Sequence, residues 1–350
     1  MKRLTTFIVV LFVWMDFCFA SGQDISEEVR SEIIDKVINQ LANRYVDPNL
    51  GKKAAQAIEQ NNQQKAYDNL RQKAQLLQAL VADMHKMTKD KRLQLVNSRN
   101  TAQPVSTGEG QVTQQIVASD LEAMAHNKMI PKHMLQQLLK GINYGLKNAK
   151  VLDGNIAYLD IREFISPKMA PEVFKTIDDT IKPLVDCSAL ILDVRFCNTN
   201  GAPKTVMYMI SYLFDGEESQ LLYELYDRED KKIAEFRTRT DVAGKRIPEV
   251  PVYILVSSQT SSAGEMLAYG LQKIGRAKIV GEISAGATHG ADTVDIGHGI
   301  MMVLPVDRLV HVKTKANWED TGVIPDVPTK AKEALDVAKD IIQKAKRNTK

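Results

Sequence analysis

Ser257-Ser258-Gln259-Thr260-Ser261-Ser262 is a run of hydroxyl-bearing side chains set between two apolar stretches. Before it lies Val252-Tyr253-Ile254-Leu255-Val256, short and rich in β-branched and aromatic residues, the pattern of a buried strand. After it, Ala263 to Ile274 has helical character, and Lys278-Ile279-Val280-Gly281 returns to strand. A strand that turns through serines into a helix puts a hydroxyl at a helix N-terminus. There, backbone N–H groups without intrahelical partners and the helix dipole favour a developing negative charge. That is the setting of a nucleophilic serine beside an oxyanion hole. Ser262-Ala263-Gly264-Glu265 also fits a capping box, in which the serine serves only to begin the helix. The two roles are compatible, and the local pattern leaves both open.

Three motifs occur in order along the chain: Thr260-Ser261-Ser262-Ala263-Gly264-Glu265, then Gly281-Glu282-Ile283-Ser284-Ala285-Gly286-Ala287-Thr288-His289-Gly290, then Asn317-Trp318-Glu319-Asp320-Thr321-Gly322-Val323-Ile324-Pro325-Asp326. Together they resemble the tail-specific (C-terminal processing) serine peptidase family. The nearest branch is that of the tricorn core and the interphotoreceptor retinoid-binding protein modules. The resemblance runs from about Asp153 to Ala338, with a weaker helical match from Glu27 to Leu95. It implies an α/β fold with a ClpP/crotonase-like core and places the nucleophile at Ser262. It also implies an oxyanion hole formed by the N–H groups of Ala263 and Gly201, the latter in the loop after a strand ending Asp193-Val194-Arg195. The family's double glycine is here Asn200-Gly201-Ala202. On composition alone Gly201 is equally a turn glycine. The same resemblance gives Glu319 a part in orienting or polarising the catalytic groups, whereas an isolated glutamate before a glycine turn is ordinarily a solvated one.

A serine hydroxyl needs a proton acceptor. The processing branch takes a lysine after its GE-x-T-x-G motif, and Ala287 stands there. The tricorn-like branch takes a histidine in a T-x-D-x-H-L pattern. The corresponding stretch is Thr88-Lys89-Asp90-Lys91-Arg92-Leu93, with Arg92 in place of the histidine. An arginine is no base at ordinary pH. His289, just beyond the Ala285-Gly286-Ala287 loop, is the substitute candidate, and His85, two helical turns before Arg92, is a weaker one. Two functions therefore stand side by side. One is an exported serine peptidase acting on unfolded or extended peptides through an acyl-enzyme on Ser262, weakened by its missing bases. The other is an impaired relative that binds an apolar ligand or a peptide.

The elements that must hold these residues follow from periodicity. Val29, Ile33, Val37, Leu41 and Tyr45 share a helical face, with Asp24-x-x-Glu27 as the expected start and Asp47-Pro48 as the stop. Further helices are expected over Lys53–Tyr67 and Leu70–Met87, and the whole of 21–99 reads as a helical bundle. Residues 100–150 read as a polar linker and connecting helices (Thr113–His126 and Lys132–Leu139), too short and too poor in strands for a PDZ domain. From 151 to 350, strands and helices alternate as in an α/β layer fold. Strands are expected at Asn155–Ile161, Ser188–Arg195 and Ile300–Val306, and a hairpin over Leu221–Tyr226 and Ile233–Arg239. Helices are expected at Pro171–Leu184, Thr205–Tyr212 and Lys330–Lys346.

Residues 1–20 have the form of a secretory signal peptide: Lys2 and Arg3, an apolar stretch from Phe7 to Trp14, and small residues at Cys18-Phe19-Ala20. That stretch is too short for a membrane anchor. The expected location is periplasmic or secreted. The formal net charge of the 350 residues is +3, and loss of the leader removes two positive charges and one negative. Near-neutrality speaks against a nucleic-acid partner. Cys187 and Cys197 flank a strand that separates them too far for a bridge, and no metal-ligand spacing occurs. No cofactor is expected; the expected partner is a polypeptide substrate or peptide ligand.

Overall fold

A computed structural model of the chain describes residues 24–90, 92–97, 131–198, 202–288 and 290–348. The expected signal peptide and the helix over Thr113–His126 lie outside the described residues, as do Gly201 and His289. Among the described residues no helix is long and apolar enough to cross a membrane.

Three helices come first: α1 (Glu27–Arg44), α2 (Pro48–Gln63) and α3 (Lys73–Thr88). The hydroxyl of Ser26, rather than Asp24, caps α1 by accepting the Val29 N–H at 3.2 Å. Pro48 does not merely stop α1. It occupies the first turn of α2, where its missing N–H costs nothing, and Asp47 caps that helix through the N–H groups of Asn49 and Leu50. Ile33, Ile34, Val37 and Leu41 of α1 are buried with Ile58 of α2 and Leu76, Leu80 and Met84 of α3.

The chain then departs from the helical expectation. Gln94–Asn97 form a strand, β1, paired antiparallel to a long strand that follows much later. After α4 (Lys132–Gly141) come β2 (Leu146–Leu152), β3 (Ile156–Ile161), α5 (Val173–Ile181), β4 (Ala189–Asp193) and α6 (Pro203–Ser211). The hairpin β5 (Leu221–Asp227) and β6 (Lys232–Arg237) is followed by β7 (Val252–Val256), α7 (Ala263–Lys273) and β8 (Ala277–Gly281). Then come β9 (Gly290–Gly297), β10 (Ile300–His311), β11 (Val327–Pro328) and α8 (Ala334–Asn348).

Two sheets result. The larger runs β11-β8-β7-β4-β3-β2, parallel from β3 to β11 with β2 antiparallel at one edge. Its central strands are buried on both faces, as parallel strands covered by helices must be. Alternation sorts the faces. Leu190, Leu192, Val252, Ile254 and Val256 join a core with α5, α6 and α7, while Ala189, Ile191, Tyr253 and Leu255 meet Ala334, Ala338 and Ile342 of α8. The smaller sheet runs β1-β10-β5-β6, with β9 also paired to β10. Ile296, Ile300, Met302 and Leu304 of β9 and β10 bury themselves against α1–α3. The three helices thus find their core on a sheet built from the far end of the chain. The fold is of the expected α/β class, and Cys187 and Cys197 are buried thiols not joined in a disulfide.

Candidate active site

The carboxyl ends of β4 and β7 lie side by side in the parallel sheet, where loops from neighbouring strands open a crevice. The hydroxyl-rich turn after β7 is strapped to the end of β4. Thr260 Oγ1 donates to the Val194 carbonyl at 2.8 Å and accepts the Ser257 N–H at 3.0 Å. The Ser257 hydroxyl donates to the Arg195 carbonyl, and the Ser261 N–H donates to Cys197 O at 2.9 Å. Gly264 lies so close to this strap that a Cβ would meet Thr260 Cγ2 at 3.0 Å and the Cys197 carbonyl at 3.2 Å. A side chain there would require these neighbours to give by a few tenths of an ångström.

Ser262 is the residue at which the turn becomes helix. Its backbone has φ 48° and ψ −106°, a left-handed conformation that is costly for a residue with a Cβ, on the order of 1–3 kcal/mol. It is half-buried and stands at the N-terminus of α7, where the dipole is positive. Glu265 closes the capping box from the other side: its Oε2 accepts the Ser262 N–H at 2.8 Å. This carboxylate is fully buried. It also accepts the N–H of Gly286 at 2.6 Å, the N–H of Ala287 at 3.0 Å and the Ser284 hydroxyl at 2.5 Å. Burial pushes the Glu265 pKa above the ordinary carboxylate value; these donors pull against it, and burial prevails.

Ser284 passes the connection on. Its hydroxyl accepts the Val323 N–H at 2.6 Å, and Asp320 N–H donates to the Gly286 carbonyl at 3.1 Å. The turn that carries Glu319 is thereby fixed against the 284–288 loop. Glu319 Oε2 accepts the N–H of Thr288 at 2.6 Å, and its own N–H donates to Asn317 Oδ1 at 3.1 Å.

A cleft of about 390 Å³ opens in front of Ser262. Ala263, Arg92, Thr288 and Asp307 line it alongside the serine, and Leu225, Phe236, Met266, Leu309 and Trp318 make an apolar wall. A second cavity, of about 710 Å³, adjoins it through Arg92 and is bounded by Lys89, Ala285, Gly286, Ala287 and Glu319. The turn bearing Arg92 is held by Asp90, buried to 2% exposure, which accepts the Arg92 N–H at 2.9 Å and the Tyr45 hydroxyl at 3.0 Å. Burial, with Asp90 beside it, drives the Tyr45 phenol far above its usual range.

The structure therefore brings Ser262, Ala263 and Arg92 into one cleft, with Glu319 on the adjoining cavity. His85 is elsewhere employed, its Nε2 lying 2.7 Å from the Leu93 carbonyl. Gly201 and His289 belong to the undescribed residues; the latter sits between Thr288 and Gly290, both of which line the cleft. Among the described residues lining that cleft there is no histidine or lysine. No group of His, Cys, Asp and Glu among the described residues has the arrangement of a metal site. Glu265 as the hub of two loops and Thr288 as a cleft residue were not anticipated from sequence. The only trace of the former was the glutamate three residues after Ser262.

The family model for peptidase family S41 matches residues 155–329. Several solved structures share the fold, among them the three that follow. A Parabacteroides merdae protein solved as a candidate peptidase is 14% identical with a TM-score of 0.56, over 89% of this chain and 96% of that one. A lipoprotein from Streptococcus agalactiae is 14% identical with a TM-score of 0.55, over 90% and 96%. The photosystem II D1 C-terminal processing protease is 14% identical with a TM-score of 0.52, over 88% and 94%.

Proposed function

Because the chain belongs to peptidase family S41, whose chemistry is that of serine-type peptidases, we propose that it hydrolyses unfolded or extended polypeptides through an acyl-enzyme on Ser262. The observation that carries this reading is the placement of Ser262, in a left-handed turn at the N-terminus of α7, facing a cleft with one apolar wall. The Ser262 Oγ attacks the scissile carbonyl and loses its proton to a base. The carbonyl oxygen takes up the negative charge and leans on N–H groups at the helix start, Ala263 and, from the loop after β4, Gly201. Collapse of this intermediate expels the amine with a proton and leaves an ester on Ser262, which water then hydrolyses. Apolar side chains of the substrate rest against Leu225, Phe236, Met266 and Leu309. Glu319 fixes the 284–288 loop that borders the attack site.

The base in this reading is His289, flanked by two cleft residues. Residues 1–20 direct export, so the substrates are periplasmic or extracellular. The second reading, a binding protein for a peptide or apolar ligand with little turnover, is favoured by one observation. Arg92, at the position matching the family's histidine, lines the same cleft as Ser262. A fluorophosphonate probe separates the two. Covalent labelling of the wild type that is lost in Ser262→Ala, together with Ser262-dependent hydrolysis of casein, supports the peptidase. Absence of labelling alongside peptide binding supports the binding protein.

A further inference from the structure

Pro305 fixes the hydrogen-bond phase of the sheet edge beside Ser262. β9 runs antiparallel to β10, with Ala291 opposite Pro305, Asp292 opposite Leu304 and Thr293 opposite Val303. Residues directly opposite in such a pair exchange both of their bonds or neither. Pro305 has no N–H to give, and its carbonyl accepts the Val46 N–H at 2.9 Å. Ala291 and Pro305 are therefore a pair that exchanges neither, and the N–H and C=O of Ala291 point away from β10. The register is unbroken from Ala291 to Asp295, so alternation turns the N–H and C=O of Thr293 outward as well. Among the described residues β10 is the only strand that pairs with β9, which leaves this outer side without a neighbour.

The edge lies at the nucleophile. Ala291 and Thr293 line the same cleft as Ser262, Thr293 exposed and Ala291 half-buried. Side chains alternate along the strand: Val294 and Ile296 pack into the core shared with α1–α3, and Ala291 and Thr293 take the opposite face. The strand is pinned at two points. Its Gly290 N–H donates to Asp307 Oδ1 at 2.9 Å, and Arg44 pairs with Asp292 Oδ2 at 2.5 Å. Two residues, about 7 Å apart along the strand, thus present two N–H and two C=O groups that are in place before any ligand arrives.

Resting on the reading that this cleft receives polypeptides, we propose that the substrate adds to the outer edge of β9 as a further strand, held by main-chain bonds to Ala291 and Thr293. Strand addition draws affinity from the main chain, which every peptide carries, and leaves side-chain choice to pockets. The apolar wall of Leu225, Phe236, Met266 and Leu309 is such a pocket. The edge accepts only a segment free of its own secondary structure, which makes unfolded stretches the substrate class.

Proline is tolerated in an edge strand where its missing N–H faces away from the ladder. In the full chain carrying Ser262→Ala, which does not consume a bound peptide, oxidised insulin B chain serves as the probe. Thr293→Pro should bind it about 3- to 10-fold more weakly than Thr293→Ala, which loses the same side chain but keeps the N–H. These two variants should melt at similar temperatures. Asp292→Pro, one residue away, removes a ladder donor and should melt lower. With Ser262→Ala alone, the peptide should slow hydrogen exchange of the amides within 290–297, a measurement that needs no proline variant. Equal affinity in Thr293→Pro and Thr293→Ala, or exchange in 290–297 that the peptide leaves unaltered, overturns the proposal. Thr293→Pro melting as low as Asp292→Pro would place that N–H in the ladder and overturns it too. So does a dimer in sedimentation that Thr293→Pro dissolves, which would put a second copy of the chain on this edge. Fluorophosphonate labelling of wild-type Ser262 involves no strand addition, so failure of these binding tests is distinct from failure of the nucleophile.

Discussion

The Ser262 N–H and the Glu265 carboxylate lie 2.8 Å apart, and through that contact the turn that begins α7 is joined to a loop more than twenty residues further on. Each oxygen of Glu265 serves two donors: Oε2 takes Ser262 and Ala287, and Oε1 takes Ser284 and Gly286. An amide in the same place has one oxygen and one NH₂ group. Turned one way, its NH₂ faces the N–H groups of Ser262 and Ala287; turned the other, it faces the Gly286 N–H and a Ser284 hydroxyl that can accept instead, so at least one donor is stranded.

Glu265→Gln should therefore lose roughly 1–3 kcal/mol for each stranded donor, seen as a lower urea midpoint. Labelling of Ser262 by a fluorophosphonate should slow as the turn and the 284–287 loop come apart. An unchanged midpoint would mean that the loops are held by something other than this carboxylate.

His311 gives the stability a pH dependence of known sign. It is fully buried, edge-on to Tyr223 and Tyr269, with Thr314 Oγ1 3.4 Å from its Nδ1. Burial, aided by Lys313 and Lys273, pushes its pKa down from 6.5 to about 4. The folded state thus prefers the neutral ring, while the unfolded chain takes up a proton near pH 6.5. The stabilisation is complete above pH 6.5 and is lost as pH falls through the window to about 4, up to roughly 3 kcal/mol. His311→Phe keeps the ring packing and removes the titration. Its unfolding free energy should fall less steeply than that of the wild type between those two pH values. Parallel slopes would show that other groups govern the acid limb.

What the sequence could reveal depended on range. The strand–turn–helix around Ser262 and the apolar runs of β4 and β7 are local patterns, and both appear where those patterns place them. Local patterns also misled. Gln94–Asn97 follows three helices and is too short to show its own period; only its partner, Ile300–Val303, makes it a strand. Gly290–Gly297 has no apolar run to mark it as a strand, because one face is covered by helices and the other is open. The expected start of α2 at Lys53 lies five residues beyond the observed one because Asp47-Pro48 reads as a stop, whereas proline is equally at home in a first helical turn. Contacts between distant segments left no trace at all. The Glu319–Thr288 bond spans 31 residues and the Tyr45–Asp90 bond 45, and nothing in either segment names the other.

Arg92 is where the sequence argument about the base can be tested directly. Its turn is set by Asp90, which accepts the Arg92 backbone N–H, a bond that a substitution at this position retains. The side chain reaches a cleft shared with Ser262. Arg92→His puts an imidazole there and removes a fixed positive charge. A positioned general base is worth about 10²–10⁴ in rate. We expect a gain of at least 10-fold in Ser262-dependent hydrolysis of unstructured peptides, well short of the full factor because the rest of the site is not built around this residue. The gain should grow as pH rises through about 6.5, where an imidazole sheds its proton. It should vanish in the Arg92→His/Ser262→Ala double variant. A different result points elsewhere: no gain in Arg92→His, from a wild type that is already active and is silenced by His289→Ala, makes His289 the proton acceptor. Robust wild-type hydrolysis that survives both His289→Ala and Ser262→Ala would sink the acyl-enzyme mechanism altogether.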